Sequence, residues 1–198
     1  MAKIKRNRNG TRKDVIIAKA AKLFREKGFS ATSMRDLAEH VGVEAASLYN
    51  HIASKAEILQ EICFKTANNF TQHIEEVDAT PGKTAIEKIQ AILRFHIRQM
   101  VDNYEEVYVT DREWKHLTDP YLSNMQGQRR AYRQRIASII ETGIRDGEIK
   151  EIDAPTAVLI MLHAVSGIES WHRSKQKIAA EKLEENMVMI LVDGLRRQ

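Results

Sequence analysis

The chain has 198 residues, 43% hydrophobic, 29% charged and only 6% aromatic, with a formal net charge of +4. With three prolines, and with Ala, Ile, Leu, Glu, Lys and Arg dominant, this balance favours helix. It argues against a sandwich or barrel, and apolar runs no longer than six residues (Ala157 to Leu162, Met187 to Val192) fall far short of the roughly 20 that a membrane span needs.

The opening, Met-Ala-Lys-Ile-Lys-Arg-Asn-Arg-Asn-Gly, is basic but is followed by no apolar stretch, so it does not read as a secretory signal. Residues 1 to 52 carry 11 Lys/Arg against 5 Asp/Glu, whereas the remainder carries 20 against 22. A basic head on a near-neutral body suits a polyanion at one end, or else a solubilising tail. A first helix reads from Arg12 to Lys27, with Ile16, Ala20, Leu23 and Phe24 on one face and Gly28 as its stop. Ser33-Met34-Arg35-Asp36 is a capping box opening a short helix to His40, and Gly42 makes the turn into a third helix, Ala45 to His51. A second capping box, Ser54-Lys55-Ala56-Glu57, opens a longer helix through Ile58, Leu59, Ile62 and Phe70 that fades before Thr80-Pro81-Gly82. Cys63, the single cysteine, has no internal partner for a disulfide, which fits a reducing cytoplasm.

Beyond the Pro-Gly break, Ile86, Ile89, Leu93, Ile97 and Met100 trace one helical stripe, and Tyr104, Val107 and Tyr108 begin another. Asp119-Pro120 reads as an N-cap with proline at the first helical position, opening a helix to Gly147. Asp153, with Pro155 in the first turn, opens a helix to His172, and Glu181 to Arg196 supplies the last. The expected fold is all-α. Residues 1–53 would form a basic arm and a small three-helix domain, and residues 54–198 a larger helical domain.

Short helices joined by Val41-Gly42-Val43 have the layout of a helix-turn-helix, whose last helix enters the major groove. The residues carry more than the spacing. Phe24-x3-Gly28-Phe29, Thr32-Ser33-Met34-Arg35-Asp36-Leu37-Ala38, Val41-Gly42-Val43, Ser47-Leu48-Tyr49-Asn50-His51-Ile52 and Ser54-Lys55-x-x-Ile58-Leu59 together resemble the tetracycline-repressor (TetR) family of bacterial regulators. The resemblance covers roughly residues 12 to 62. It departs at Ile52, where Phe is usual, and at Glu44, where Ser or Thr often caps the recognition helix. It implies that the third helix reads the major groove of an operator and that the fourth links the two domains.

The residues support the same chemistry individually. Ser33 places a helix N-terminus where a phosphate is favoured, and Arg35 can reach backbone or a base edge. Ala45 and Ala46 are small enough for close approach to thymine methyls. Ser47, Tyr49 and His51 can grip phosphates, and Lys55 adds charge. Asn50 can read a base or face solvent. Tyr49 has a core alternative, with its hydroxyl satisfied internally.

In the resembled family, the last two helices form a dimer and the second domain encloses an effector pocket. Here the helix from Asp153 is apolar on several faces, with Met161 and Val165 on one and Ile168 on another, which suggests a partner subunit. Met187, Ile190 and Leu191 give the last helix a matching stripe. A two-fold homodimer would present two recognition helices to a palindromic double-stranded DNA site. The segments Arg112-Glu113-Trp114-x-x-Leu117, Arg129-Arg130-x-Tyr132-Arg133 and Gly167-Ile168-Glu169-Ser170-Trp171-His172 resemble members that sense acyl-coenzyme A thioesters. That resemblance implies a pocket taking an acyl chain between aromatics, with phosphates near arginines. The expected ligand-binding residues are His96, Tyr108, Trp114, Met125, Arg129, Arg133 and Trp171. Arg129 has a simpler alternative, its stem covering apolar surface while its head reaches solvent.

Taken together, the expectation is a homodimeric repressor that a small hydrophobic effector releases from DNA, with no resident cofactor or metal. Two alternatives stand beside it. One is a dimeric DNA-binding protein without an effector. The other is a di-metal helical-bundle enzyme built on Glu113-x-x-His116 and Glu169-x-x-His172, with Glu105 or Glu141 completing the set.

Overall fold

The computed structural model describes residues 12–175 and 177–196. The expected basic arm, with Lys3, Lys5, Arg6 and Arg8, whether a polyanion contact or a solubilising tail, lies outside them. The fold is all-α: α1 (Arg12–Lys27), α2 (Met34–Val41), α3 (Ala45–Tyr49), α4 (Lys55–Ala79), α5 (Ala85–Asp102), α6 (Tyr104–Arg112), α7 (Tyr121–Arg145), α8 (Ala154–Ser166), α9 (Ile168–Arg173) and α10 (Ala180–Asp193). A 3₁₀ turn, Trp114–His116, lies between α6 and α7. The one β-type contact among the described residues is an isolated bridge between Ile149 and Arg196.

Two apolar clusters organise these helices. The lower one packs Ile16, Leu23 and Phe24 of α1 with Leu37, Leu48 and the first turns of α4, and it also takes in Val109, Leu117 and Met125. The upper one runs from the end of α4 through α5, α7 and α8 to Val188 and Val192 of α10. Because α4 contributes to both, its 25 residues form a continuous strut between them.

The local signals work mostly as expected. Ser33 and Asp36 make a complete capping box, and Gly42, at φ 81°, takes the left-handed conformation that closes α2. Thr84 and Glu87 make a second complete box at the start of α5. The Ser54 box is only half formed. Ser54 Oγ accepts the Glu57 N–H, but the Glu57 carboxylate takes the Ala53 N–H instead, at 2.8 Å.

Three expected helix boundaries are corrected. Pro120 follows a cis bond and precedes the helix instead of opening it, while Asp119 Oδ1 accepts both the N–H and the hydroxyl of Ser123, at 3.1 and 2.6 Å. The helix expected from Asp153 to His172 breaks at Gly167, whose N–H is shared between the carbonyls of His163 and Ala164. α3 closes at Tyr49, two residues early, because the N–H groups of His51 and Ile52 both turn back to Leu48 O.

Candidate DNA-binding and effector sites

α3 presents Ala45, Ala46, Tyr49 and Asn50 outward and buries Leu48, with Ser47 half-buried between them. Tyr49 is 53% exposed, which removes the core alternative. Arg35 and His51 are also exposed. Glu44 gives α3 no side-chain cap, as its departure from the usual Ser or Thr implied. Beside these residues lies a shallow depression lined by Ser33, Tyr49, Ser54 and Lys55, where the N-caps of α2 and α4 come together. Helix N-termini attract anions through their free amides and aligned dipoles.

Lys55 does not have the expected role. Its ammonium donates to the carbonyls of Phe29 and Thr32, both at 2.8 Å, and to that of Ser30 at 3.3 Å, and it lies 4.5 Å from the Phe29 ring centroid. Three protons meet three carbonyls, so the side chain closes the α1–α2 turn onto α4 and has no donor left for a phosphate. Ser33 likewise commits its hydroxyl to the Asp36 carboxylate. The paired hydroxyl and backbone N–H of Ser33, helped by Lys27, pull the Asp36 carboxyl down to about 2.

The second site is a cavity of about 400 Å³ bounded by α4, α5, α6, α7, α8 and Glu169 of α9. Its inner wall is formed by Phe70, Met100, Val107 and Met125, its rim by Asp111, Arg112, Arg133, Leu159 and His163. The structure brings His96, Tyr108, Met125, Arg129 and Arg133 together here, as expected. Deep in the wall His96 Nε2 lies 2.7 Å from the Tyr132 hydroxyl. Burial holds the His96 imidazole down to about 3, with His73 adding to the effect, and burial pushes the Tyr132 phenol well above its ordinary value. Tyr132 and Phe70 were absent from the expected set, although Tyr132 sits in the Arg129-to-Arg133 segment that drew attention.

Both tryptophans are corrections, since neither lines the cavity. Trp114 packs on the lower cluster under the guanidinium of Arg129, 5.3 Å from its ring centroid. Trp171 donates its Nε1 proton to Ile178 O at 3.0 Å and pins the segment before α10. Arg129 is half-buried and borders the cavity, but its head is bound to Asp111 at 3.1 Å, a partner neither alternative named. On the rim, Arg112 is paired with Glu169 at 3.1 Å, whereas Arg133 is exposed.

The expected interface residues divide in the same way. Met161, Val165 and Ile168 are 3%, 2% and 2% exposed, buried in the protomer's own upper cluster. Met187 and Leu191 are half-buried against that cluster. Of the set only Ile190, at 68%, faces outward. On α8 and α10 the large apolar side chains that are exposed are Leu159, Ile160, Met189 and Ile190. Leu159 and Ile160 lie on the side of α8 opposite the expected Met161–Val165 stripe.

The candidate metal pairs are used elsewhere. Glu113 and His116 pair with each other at 3.3 Å, Glu169 binds Arg112 and Arg173, and His172 bonds Met100 O at 2.7 Å. Among the described residues no group of three or more His, Cys, Asp or Glu side chains is placed to hold a metal ion.

Comparison with known proteins agrees with this layout. Residues 16–62 match the family model described as bacterial regulatory proteins, tetR family, and residues 82–195 match the tetracyclin repressor-like C-terminal domain. The chain is 25% identical over 181 residues to the HTH-type transcriptional repressor KstR2 of Rhodococcus jostii (strain RHA1), covering 89% of this chain and 87% of that one. The solved structure of the ketosteroid transcriptional regulator KstR2 of Mycobacterium tuberculosis superposes with a TM-score of 0.87 at 21% identity, over 96% of this chain and 98% of that one. AibR in complex with isovaleryl coenzyme A and operator DNA superposes with a TM-score of 0.80 at 22% identity, over 92% and 98%. These two structures share the fold. With family models matching both its helix-turn-helix and more than half its length, the chain belongs to the tetracycline-repressor family, whose members are transcriptional regulators and not enzymes.

Proposed function

We propose that the protein is a homodimeric repressor that an apolar effector, an acyl-coenzyme A thioester, releases from a palindromic operator. α3 enters the major groove with Ala45, Ala46 and Asn50 toward the bases. Tyr49, His51 and Arg35 hold the backbone, and a phosphate sits in the depression lined by Ser33 and Ser54. A second copy covers Leu159, Ile160, Met189 and Ile190, pairing α8 and α10 across a two-fold axis.

The cavity carries the effector part of this reading. Its 400 Å³ lies within the roughly 300–1,000 Å³ usual for ligand pockets, which argues against a purely architectural domain. That volume holds an acyl group but not the coenzyme, so the nucleotide would lie outside the rim with Arg133 beside its phosphates. AibR, of the same fold, was solved with an acyl-coenzyme A and its operator. A ligand shifts the dimer between geometries only through its differential affinity for them. Helix α6 transmits that difference. It walls the cavity with Val107 and Tyr108, and it meets α1 where the Arg25 guanidinium lies 5.5 Å from the Tyr104 ring centroid.

Operator complexes titrated with acyl-coenzyme A esters and with the matching free acids test the reading. Release by the esters, weakened about tenfold or more by Arg133→Ala, is the expected result. Release by the acids alone, unaffected by that substitution, would reject the thioester and leave a sensor of free apolar ligands.

A further inference from the structure

Within the cavity, polarity is divided unevenly. The charged side chains that line it, Asp111, Arg112, Arg129, Arg133 and Glu169, come from the end of α6, from α7 and from α9. The inner wall is largely apolar; besides the Thr66 and Thr110 hydroxyls and the Gln128 amide, its polar feature is one pair, His96 on α5 and Tyr132 on α7, joined at 2.7 Å. Phe70 closes over both, its ring centroid 4.4 Å from that of His96 and 6.0 Å from that of Tyr132. Among the described residues no charged side chain hydrogen-bonds to either.

A phenol can donate one hydrogen bond and accept two, so the single bond to His96 leaves capacity unused. If Nε2 accepts from the hydroxyl, the tyrosine oxygen can still accept. If Nε2–H donates, the hydroxyl proton is free to be given away. A hydrocarbon filling the space would seal that capacity away from water without replacing it, which is costly in a dry site. A carboxylate would place a charge against two neutral groups with no cation beside them, which is costlier still.

We propose that the His96–Tyr132 pair is a recognition point for an uncharged oxygen, a ketone carbonyl or a hydroxyl, carried on the buried end of the apolar effector. This rests on the cavity being the effector site, and it adds a requirement that a plain aliphatic acyl chain does not meet. Both groups remain neutral across the physiological range, since burial lowers the imidazole pKa and raises that of the phenol. The pair can therefore serve either oxygen type by exchanging which partner donates.

Calorimetric titration of the full-length protein with cyclooctane, cyclooctanone, cyclooctanol and cyclooctanecarboxylate at neutral pH separates the possibilities. The ketone or the alcohol should bind about tenfold more tightly than the hydrocarbon. Tyr132→Phe should abolish that advantage, so that ketone and hydrocarbon bind about equally to the variant. Equal affinity for hydrocarbon and ketone, or an advantage that survives Tyr132→Phe, overturns the inference and leaves the cavity as an effector site. Tightest binding by the carboxylate overturns it in favour of an acid. Failure of all four probes to bind overturns this inference, while the ester and acid titration of operator complexes decides separately whether the cavity is the effector site. The wild-type comparison needs no variant, so the outcome does not depend on how Tyr132→Phe folds.

Discussion

At the scale of single residues, Lys55 separates what charge implies from what geometry allows. A lysine at the start of a helix beside a DNA-reading unit invites a phosphate contact, yet its three donors close the α1–α2 turn. Lys55→Met should therefore destabilise the N-terminal helices by about 1–2 kcal/mol. Operator affinity should fall with them, but the slope of log affinity against log salt should stay unchanged. Loss of a true phosphate contact would flatten that slope by about 0.9. Asp36 gives a second test. Its carboxyl is held at about 2, chiefly by the Ser33 hydroxyl and backbone N–H, below an ordinary value of 3.8. The depressed pKa means that its stabilisation of α2 is fully present above 3.8 and is lost as pH falls toward 2. Helicity followed through an acid titration should show a step in that window that Asp36→Asn removes. The two tryptophans show why pocket residues are hard to read from sequence. Indole is as suited to capping a core as to lining a cavity, and only the neighbouring elements decide which.

At the scale of elements, caps and glycines made most boundaries legible because they act within four residues. Ser33-Asp36, Gly42 and the Pro81-Gly82 break needed no tertiary information. The break at Gly167 was not legible, because apolar spacing runs unbroken across it from Val165 to Ile168. α8 ends there in a tightened turn, the Gly167 N–H reaching Ala164 O at 3.1 Å as well as His163 O at 3.2 Å. Nor was the outward face of α8. With Leu159, Ile160, Met161 and Leu162 in succession, the pattern supports two orientations, and packing on α5 and α7 decides between them. At Gly143 α7 packs closely on its neighbours. A Cβ there would lie 2.7 Å from both Ala85 Cβ and Ile149 Cδ1. Gly143→Ala gains about 1 kcal/mol of helix propensity but forces the rigid Ala85 methyl away, and overpacking costs about 1–3 kcal/mol. Thermal unfolding should show net destabilisation.

At the scale of the whole molecule, assembly can be tested by contrasting neighbours on one helix. Ile160→Glu or Ile190→Glu places a charge on a surface already exposed in the protomer, so each should give a folded monomer with greatly weakened operator binding. Met161→Glu buries the same charge in the protomer's own core and should cost more than about 3 kcal/mol, unfolding the chain instead of dissociating it. Circular dichroism and analytical ultracentrifugation distinguish the two outcomes. A wild-type protein that stays monomeric at the concentrations where it binds DNA would refute the two-fold arrangement.

Helix α6 is nine residues long and has no face to spare. One side walls the cavity, and the others hold α1 through Arg25 and α4 through the bond from the Thr110 hydroxyl to Ile62 O and the Lys65–Glu106 pair. In the proposed mechanism a displacement of α6 from one side would be felt on the other, and the coupling would run in both directions. With the cavity as the effector site proposed above, thermodynamic reciprocity would make DNA an effector of it: the factor by which ligand weakens operator binding would equal the factor by which operator weakens ligand binding. A cell holding many operator copies would need more ligand for the same response, and a decoy duplex added in vitro would desensitise the protein without touching the pocket.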